Sequence, residues 1–556
     1  MASINASEYS PTWKQHVTPS SFAWVLLPLL VIFGIQRVFR QKANEPPSLP
    51  GFIPYVSTTY QYLTDNSKFL QKATEALKKS SIVKFNLGLD TVYLVTGSRN
   101  VQKLFRNSTT NTLSSDKFVI MVNEKVQGMT KEDVAKLVND RSGRLQNPAP
   151  GTENFPEHKR VWAGIHHVFT EHLFRAEANT RLAQSFVTFF SERLEQQPLG
   201  KWQTVQIFKY LKKDMAEAAT ISLAGRKLVE EYPEFVELLW EFDEYLMQLM
   251  YGLPSWLNPK PKQVQDKALA MMSKFLTDAW STFDWDGPDA DADWEPIFGS
   301  RLQREHSKFY KENGFSLRSR AGVHVGSISG FNSNSLPQAA WAIMEVAKDP
   351  YLFGAVREEL QDALSIDPGT GEPTFDMTKL VTLPLLQSIY TETLRMHVSI
   401  NITRQVLEPM ELDGYLLSKG SLVQAPTQIG HLDESVWAVD GHSASEFWAE
   451  RHVKYVESKD DVGNVQRNRE FSMAGRPSHF FPYGGGVSMC PGRIFAKQEI
   501  MLAVAMVVCR FDIEFVDWVM EDGSRSDRPA MNDKSYVGAG AVPPDRDMKI
   551  RWKRLW

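Results

Sequence analysis

Hydrophobic and polar positions divide the chain into stretches of unlike character. Residues 17–36 run twenty positions without a formal charge, around the core FAWVLLPLLVIFGI. A helix of that length spans about 30 Å, one hydrocarbon core. Farther on, residues 82–86 (IVKFN) and 91–95 (TVYLV) carry β-branched residues in alternation, with Gly88 between them. That pattern predicts a β-hairpin. From about 157 to 394 apolar positions recur at helical spacing, and polar loops at 147–151 (NPAPG) and 284–293 (DWDGPDADAD) set the helices apart. Residues 421–425 (SLVQA) predict another strand, and the polar stretch 457–477 an exposed insertion. The end of the chain reads as one helix followed by strands and turns. The expected fold is mainly α with a small β portion.

Arg37, Arg40 and Lys42 follow the apolar run. On the positive-inside rule they lie on the cytoplasmic side, which leaves residues 1–16 in the lumen. A cleaved signal peptide needs a basic leader and a small-residue cleavage site. Only Lys14 and His16 precede the run closely, and bulky basic residues follow it, so a retained transmembrane anchor is expected at 17–36. Asn5, in Asn-Ala-Ser, is then a glycosylation sequon on the lumenal side. Residues 37–51 turn from basic to proline-rich (EPPSLPG) and read as a stiff hinge, and 52–556 form the catalytic part.

Composition narrows the function. With 42% hydrophobic and 23% charged residues, a large core is affordable. A net charge of -4 gives no reason to expect a nucleic acid as partner. The two cysteines, Cys490 and Cys509, cannot build a disulfide framework, which fits a reducing compartment.

The most unusual segment is residues 480–499, FFPYGGGVSMCPGRIFAKQE. Gly484, Gly485 and Gly486 leave a bare backbone that can approach a flat ligand closely. Pro491 suits the first position of a helix, so the Cys490 thiol is expected at a helix N-terminus, where the macrodipole and free N–H groups favour a thiolate. A Walker loop would need Gly-Lys-Ser/Thr, which is absent. On spacing alone, an inert buried cysteine remains as good a reading as a functional one.

The run Phe481-Pro-Tyr-Gly-Gly-Gly-Val-Ser-Met-Cys490-Pro-Gly-Arg resembles the haem-binding signature of the cytochromes P450. Tyr483, Gly486, Cys490 and Gly492 match it. Ser488 stands where the family has the arginine or histidine that contacts a haem propionate, so another basic residue must serve. The same departure, together with Asn334-Ser335-x-Pro337 and the run Gly51-Phe-Ile-Pro-Tyr, resembles the branch of sterol 7α-hydroxylases and prostacyclin synthase. The resemblance covers nearly the whole chain and implies one large catalytic domain behind the transmembrane helix, with haem b on Cys490.

Other motifs follow in the family's order. Glu392 and Arg395 share a helix face three residues apart, among Leu386, Ile389 and Leu394. Arg451, in residues 449–452 (AERH), resembles the arginine that joins such a pair; Ala449 and His452 depart from the family's Pro-Glu-Arg-Phe. The resemblance makes this triad structural. It gives Arg404 a propionate, and it places Trp162, with His166 in place of an arginine, on a haem-facing helix. On the oxygen-activating helix it puts Asn334 at the acid and Ser335 at the alcohol of a proton relay. Asn334 cannot ionise, so delivery would depend on Ser335 and water. Pro337 should loosen that helix.

These likenesses imply a monooxygenase acting on a lipophilic small molecule such as a sterol or terpenoid, with electrons from NADPH through a separate NADPH–cytochrome P450 reductase. They imply a single-pass protein of the endoplasmic reticulum membrane, in the style of fungal specialised metabolism. The loss of the acid at Asn334 leaves open a haem-thiolate isomerase or dehydratase that rearranges a peroxide without a reductase. A haem-binding carrier or sensor is the third reading.

Overall fold

A computed structural model of the chain describes residues 44–51, 56–106, 112–252, 254–367, 369, 371, 373–459, 465–476 and 478–556. The expected lumenal segment with Asn5, the anchor at 17–36 and part of the hinge lie outside the described residues. Among the described residues no helix is long and apolar enough to cross a membrane.

The predicted hairpin is present. β1 (Ile82–Leu87) and β2 (Asp90–Val95) pair antiparallel from Ile82 opposite Val95 to Leu87 opposite Asp90, and Gly88 turns the chain at φ +60°. β3 (Val398–Val406), β4 (Leu422–Pro426) and β5 (Ala539–Ala541) complete the sheet in the order β1-β2-β4-β3-β5. The short strand Leu113–Ser114 is added on β3. The proline-rich stretch is no bare hinge where it is described: Leu49 N–H donates to the Lys84 carbonyl, Lys84 N–H returns a bond to Pro47, and the Leu49 side chain is buried.

Helices make up most of the rest. α1 (Val161–Phe169), α2 (Leu317–Ala347), α3 (Pro384–His397) and α4 (Arg493–Arg510) surround the site. α2 has 31 residues, about 46 Å at the usual rise. Ser316 caps its start by accepting from the Ser319 N–H. It packs on helices Ala216–Ala224 and Lys260–Thr282 and on α3 and α4, so its burial is nearly all round. Gly322 lets the Gln127 backbone press against it; a Cβ there would collide with the Gln127 carbonyl oxygen. α2 runs on through Pro337, with packing on all sides across the one lost donor.

The stretch 457–477, expected as an exposed insertion, is largely exposed where it is described and takes part in a hairpin, Val453–Lys459 with Val465–Phe471. The helix after the cysteine begins at Arg493, with Gly492 as its cap, two residues later than Pro491 suggested.

Glu392 and Arg395 on α3 lie fully inside the protein. Arg395 donates Nε to Glu392 Oε2 at 2.7 Å and a second nitrogen to Oε1 at 2.8 Å. Arg451 donates Nε to Oε1 at 2.7 Å, and His452 Nε2 stands 3.3 Å from Oε2. The remaining guanidinium donors reach the carbonyls of His431, Ala444, Trp437, Ser443 and Glu446. Burial would raise the Glu392 pKa, but the bonds from Arg395 and His452 and the two guanidinium charges outweigh it and hold the carboxyl well below the usual range.

Removing one member of such a cluster leaves the others charged and unpaired. Glu392→Gln should cost about 3–5 kcal/mol, read as a lower denaturant midpoint. The pH dependence has a definite sign. The folded pKa is depressed, so the carboxylate's contribution is present above the ordinary carboxylate range and is lost as pH falls below it. The Glu392→Gln variant should show a flatter loss of stability in acid than the parent.

Candidate active site

Between the sheet and the helices α1, α2 and α4 lies a cavity of about 620 Å³. Cys490 borders it from the loop ahead of α4. The loop is shaped by its backbone: Cys490 N–H donates to the Tyr483 carbonyl at 3.0 Å and Met489 N–H to Gly486 at 3.1 Å. Gly486 has φ +69°, and a Cβ on it would meet the Phe105 carbonyl oxygen at 2.6 Å. One on Gly485 would strike the Phe105 ring. The glycines are therefore required by close packing on Phe105 as well as by backbone conformation.

The Cys490 side chain is open to the cavity while the surrounding protein is dense. Burial raises its pKa, and the opposing N–H groups of Gly492 and Arg493 and the Arg493 charge do not overcome it. The helix end thus moves the thiol in the expected direction without making it a thiolate unaided. A cation bound at the sulfur would supply the missing compensation.

Arg404, on β3, lies opposite in the cavity wall and is buried. It donates to the carbonyls of Thr403 and Gly485, at 2.9 and 3.1 Å, and no acidic side chain pairs with it among the described residues. Burial and then the Arg144 charge pull its pKa down to about 10, so it remains a cation at neutral pH. Arg144 also borders the cavity. Its guanidinium lies 4.1 Å above the Trp162 ring and pairs with Asp116 at 2.7 Å.

Trp162 borders the same cavity; its indole N–H donates to the Leu137 carbonyl at 3.0 Å, and its ring braces Arg144. His166, at the family's arginine position, is kept neutral by burial and by the Arg144 charge. Ser488 bonds the Ser115 hydroxyl at 2.7 Å. The basic residue missing at 488 and 166 therefore has a counterpart in Arg144, from a loop distant in sequence. The stacked ring at Trp162 was the only sequence signal near it.

α2 faces the cysteine loop across the cavity with Gly330, Asn334 and Ser335. The Asn334 amide donates to the Gly330 carbonyl at 3.0 Å and accepts from the Ala541 N–H at 3.2 Å. It pins α2 to β5. Ser335 is buried and hydrogen-bonded to Glu499 on α4, a residue the sequence did not single out. Phe118, Val119, Ile165, Phe169 and Phe331 give the cavity an apolar wall.

A flat, dianionic macrocycle with a sulfur-binding metal suits this donor set. The thiol, the bare glycine backbone and two buried or stacked arginines with one carboxylate between them are the features that fit.

The comparisons with known proteins agree. The sequence model of the family Cytochrome P450 matches residues 333–527. The cytochrome P450 monooxygenase calL of Penicillium decumbens is 48% identical over 522 residues, covering 94% of this chain and 95% of that protein. Cytochrome P450 7A1 of Rattus norvegicus is 23% identical over 96% of this chain and 99% of its own length. Retinoic acid-bound cyanobacterial CYP120A1 shares the fold, with a TM-score of 0.61 at 15% identity over 93% of this chain and all of that one. With a relative of this identity across almost its entire length, and with the cysteine loop and buried triad in place, the chain belongs to the cytochrome P450 family.

Proposed function

We propose that the chain is a haem-thiolate monooxygenase that oxidises a lipophilic small molecule, with Cys490 as the iron ligand. The observation that carries the reading is the Cys490 thiol projecting into an apolar-walled cavity directly bordered by Gly330, Asn334 and Ser335. Haem b would be held by Cys490, with its propionates toward Arg404 and Arg144 and Gly486 letting its face approach the backbone. When bound, it supplies oxygen activation at the sulfur-ligated iron. The chain's own residues orient an apolar substrate against α2, exclude water with the aromatic wall, and hold protons at Ser335. The buried Ser335–Glu499 contact supports proton-consuming oxygen chemistry over a peroxide rearrangement, which needs no proton store.

Electrons would come from NADPH through NADPH–cytochrome P450 reductase. The apolar run 17–36 supports a single-pass anchor in the endoplasmic reticulum membrane with the catalytic domain on the cytoplasmic side. For substrate class, identity to the Penicillium protein is twice that to the 7A1 protein of Rattus. We therefore favour fungal specialised metabolism, with a terpenoid or sterol-like ligand. Ser488, Asn334-Ser335 and Pro337 support kinship with the sterol 7α-hydroxylase and prostacyclin synthase branch.

The reduced carbon monoxide difference spectrum of the full chain in membranes tests the ligand. A strongly red-shifted band in the parent and its loss in Cys490→Ala are expected; bound haem without that band would overturn the assignment. Arg404→Ala and Arg144→Ala should each release haem to an excess of apomyoglobin about 10- to 100-fold faster, the loss of one charge-assisted hydrogen bond. Unchanged release in both would remove the propionate role.

A further inference from the structure

We infer that Gln127 sets the specificity of the cavity: its amide takes a hydroxyl group that the lipophilic substrate carries away from the carbon to be oxidised. The inference rests on the monooxygenase reading above and adds a chemical feature to the substrate. Gln127 borders the cavity, and its Oε1 is buried without a hydrogen-bond partner among the described residues. A buried acceptor left unpaired is costly, so one in a cavity wall points to a ligand group that pairs with it. The backbone on either side is fixed. Val122–Val126 form a π-helical turn, closed by the Gln127 N–H donating to the Val122 carbonyl at 3.0 Å. The Gln265 amide donates to the Lys125 and Val126 carbonyls, each at 2.7 Å, and Arg318 Nε to the Gly128 carbonyl at 3.1 Å. A π-turn holds one residue more than an α-turn, which re-aims the side chain that follows, and the flanking bonds keep that aim.

The surface of α2 is cut away to receive this side chain. The Gln127 Cβ lies against Gly322, and its Cγ, Cδ and Nε2 lie against Gly326 one turn on, where an added Cβ would meet Nε2 at 2.6 Å. The side chain thus runs along α2 toward Gly330, with its amide at the level of Gly326. Gly330 is open: a Cβ on it would meet nothing within 4 Å. Gly326, Ser327, Gly330 and Asn334 form a strip of α2 that borders the cavity. At the usual rise the amide stands about 6 Å along the helix from Gly330 and about 12 Å from Asn334. Phe118, Val119 and Phe331 make the wall around it apolar. A hydrocarbon skeleton lying on the strip therefore meets a polar handle at its far end. An alcohol fits that handle, because its O–H donates to Oε1 while the same oxygen can accept from the amide N–H. A ligand without that oxygen leaves Oε1 unpaired, so the amide selects against the bare hydrocarbon. Gln127 positions the substrate and does not touch the reacting atoms.

The test measures binding to the detergent-solubilised full chain, by the haem spin-state shift and by equilibrium dialysis. The probes are two alcohols, each beside its hydrocarbon: farnesol with farnesene, and cholesterol with cholest-5-ene. The parent should bind at least one alcohol about 10- to 100-fold more tightly than its hydrocarbon, the worth of one buried hydrogen bond. Q127L keeps the bulk and should weaken the alcohol alone, levelling the two affinities. Q127E keeps an acceptor oxygen and should hold the preference. No alcohol preference in either pair for the parent, or a preference unchanged in Q127L, overturns the inference. If Q127L fails to hold haem, G326A decides: its Cβ displaces the amide from α2 and should reduce the preference, and an unreduced preference overturns the inference. A missing carbon monoxide band in the parent would instead sink the haem-thiolate reading, while dialysis would still read the preference.

Discussion

Glu392 carries its charge where no water reaches it, and the fold is arranged to supply what water would. Arg395 comes from the same helix and Arg451 from a loop some sixty residues later, and the donors they have left tie down the carbonyls of 431–446. The effect travels on to the cysteine loop. Arg395 holds the His431 carbonyl, and His431 Nε2 accepts the N–H of Phe481 at 3.1 Å. Burial drives the His431 pKa down to about 3, so that nitrogen stays an acceptor at any ordinary pH. One ionised carboxylate thus fixes, through Arg395 and His431, the segment that ends at Cys490. A buried ion cluster of this kind adds little net stability over an apolar replacement, and its value here is registration of distant chain segments.

Close approach is the second constraint. The glycine backbone before Cys490 lies against Phe105, and Arg404 donates to the Gly485 carbonyl from the other side. The loop is therefore clamped between the helix before residue 106 and strand β3. Side chains on Gly485 or Gly486 would push Phe105 away and open the cavity wall. The same clamp brings the Arg404 guanidinium, short of an acidic partner, to the edge of the cavity, where an anionic ligand edge is favoured electrostatically.

α2 and α4 divide the labour of the opposite wall. Asn334 holds α2 to β5 through its amide. Ser335, one residue on, turns into the interface with α4 and meets Glu499.

The sequence by itself determined what depends on local spacing. The hairpin at 82–95 follows from alternation, the Glu392–Arg395 pair from helical periodicity, and the cysteine loop from glycines whose conformational needs are written in their own residue type. Arg451 was legible because a neighbouring motif resembles a known one, even though His452, which looked like a departure, proved to be a further neighbour of Glu392. Tertiary structure alone decided the rest. The Trp162 ring is held by the Leu137 carbonyl, twenty-five residues away, and stacking on that ring and an ion pair hold Arg144 at the cavity. Glu499 looked like an ordinary polar residue on a helix, since no periodicity marks it apart. Its protonation is set by burial between two helices whose partners are more than 150 residues apart in the chain, and burial is a property of packing that no local pattern encodes.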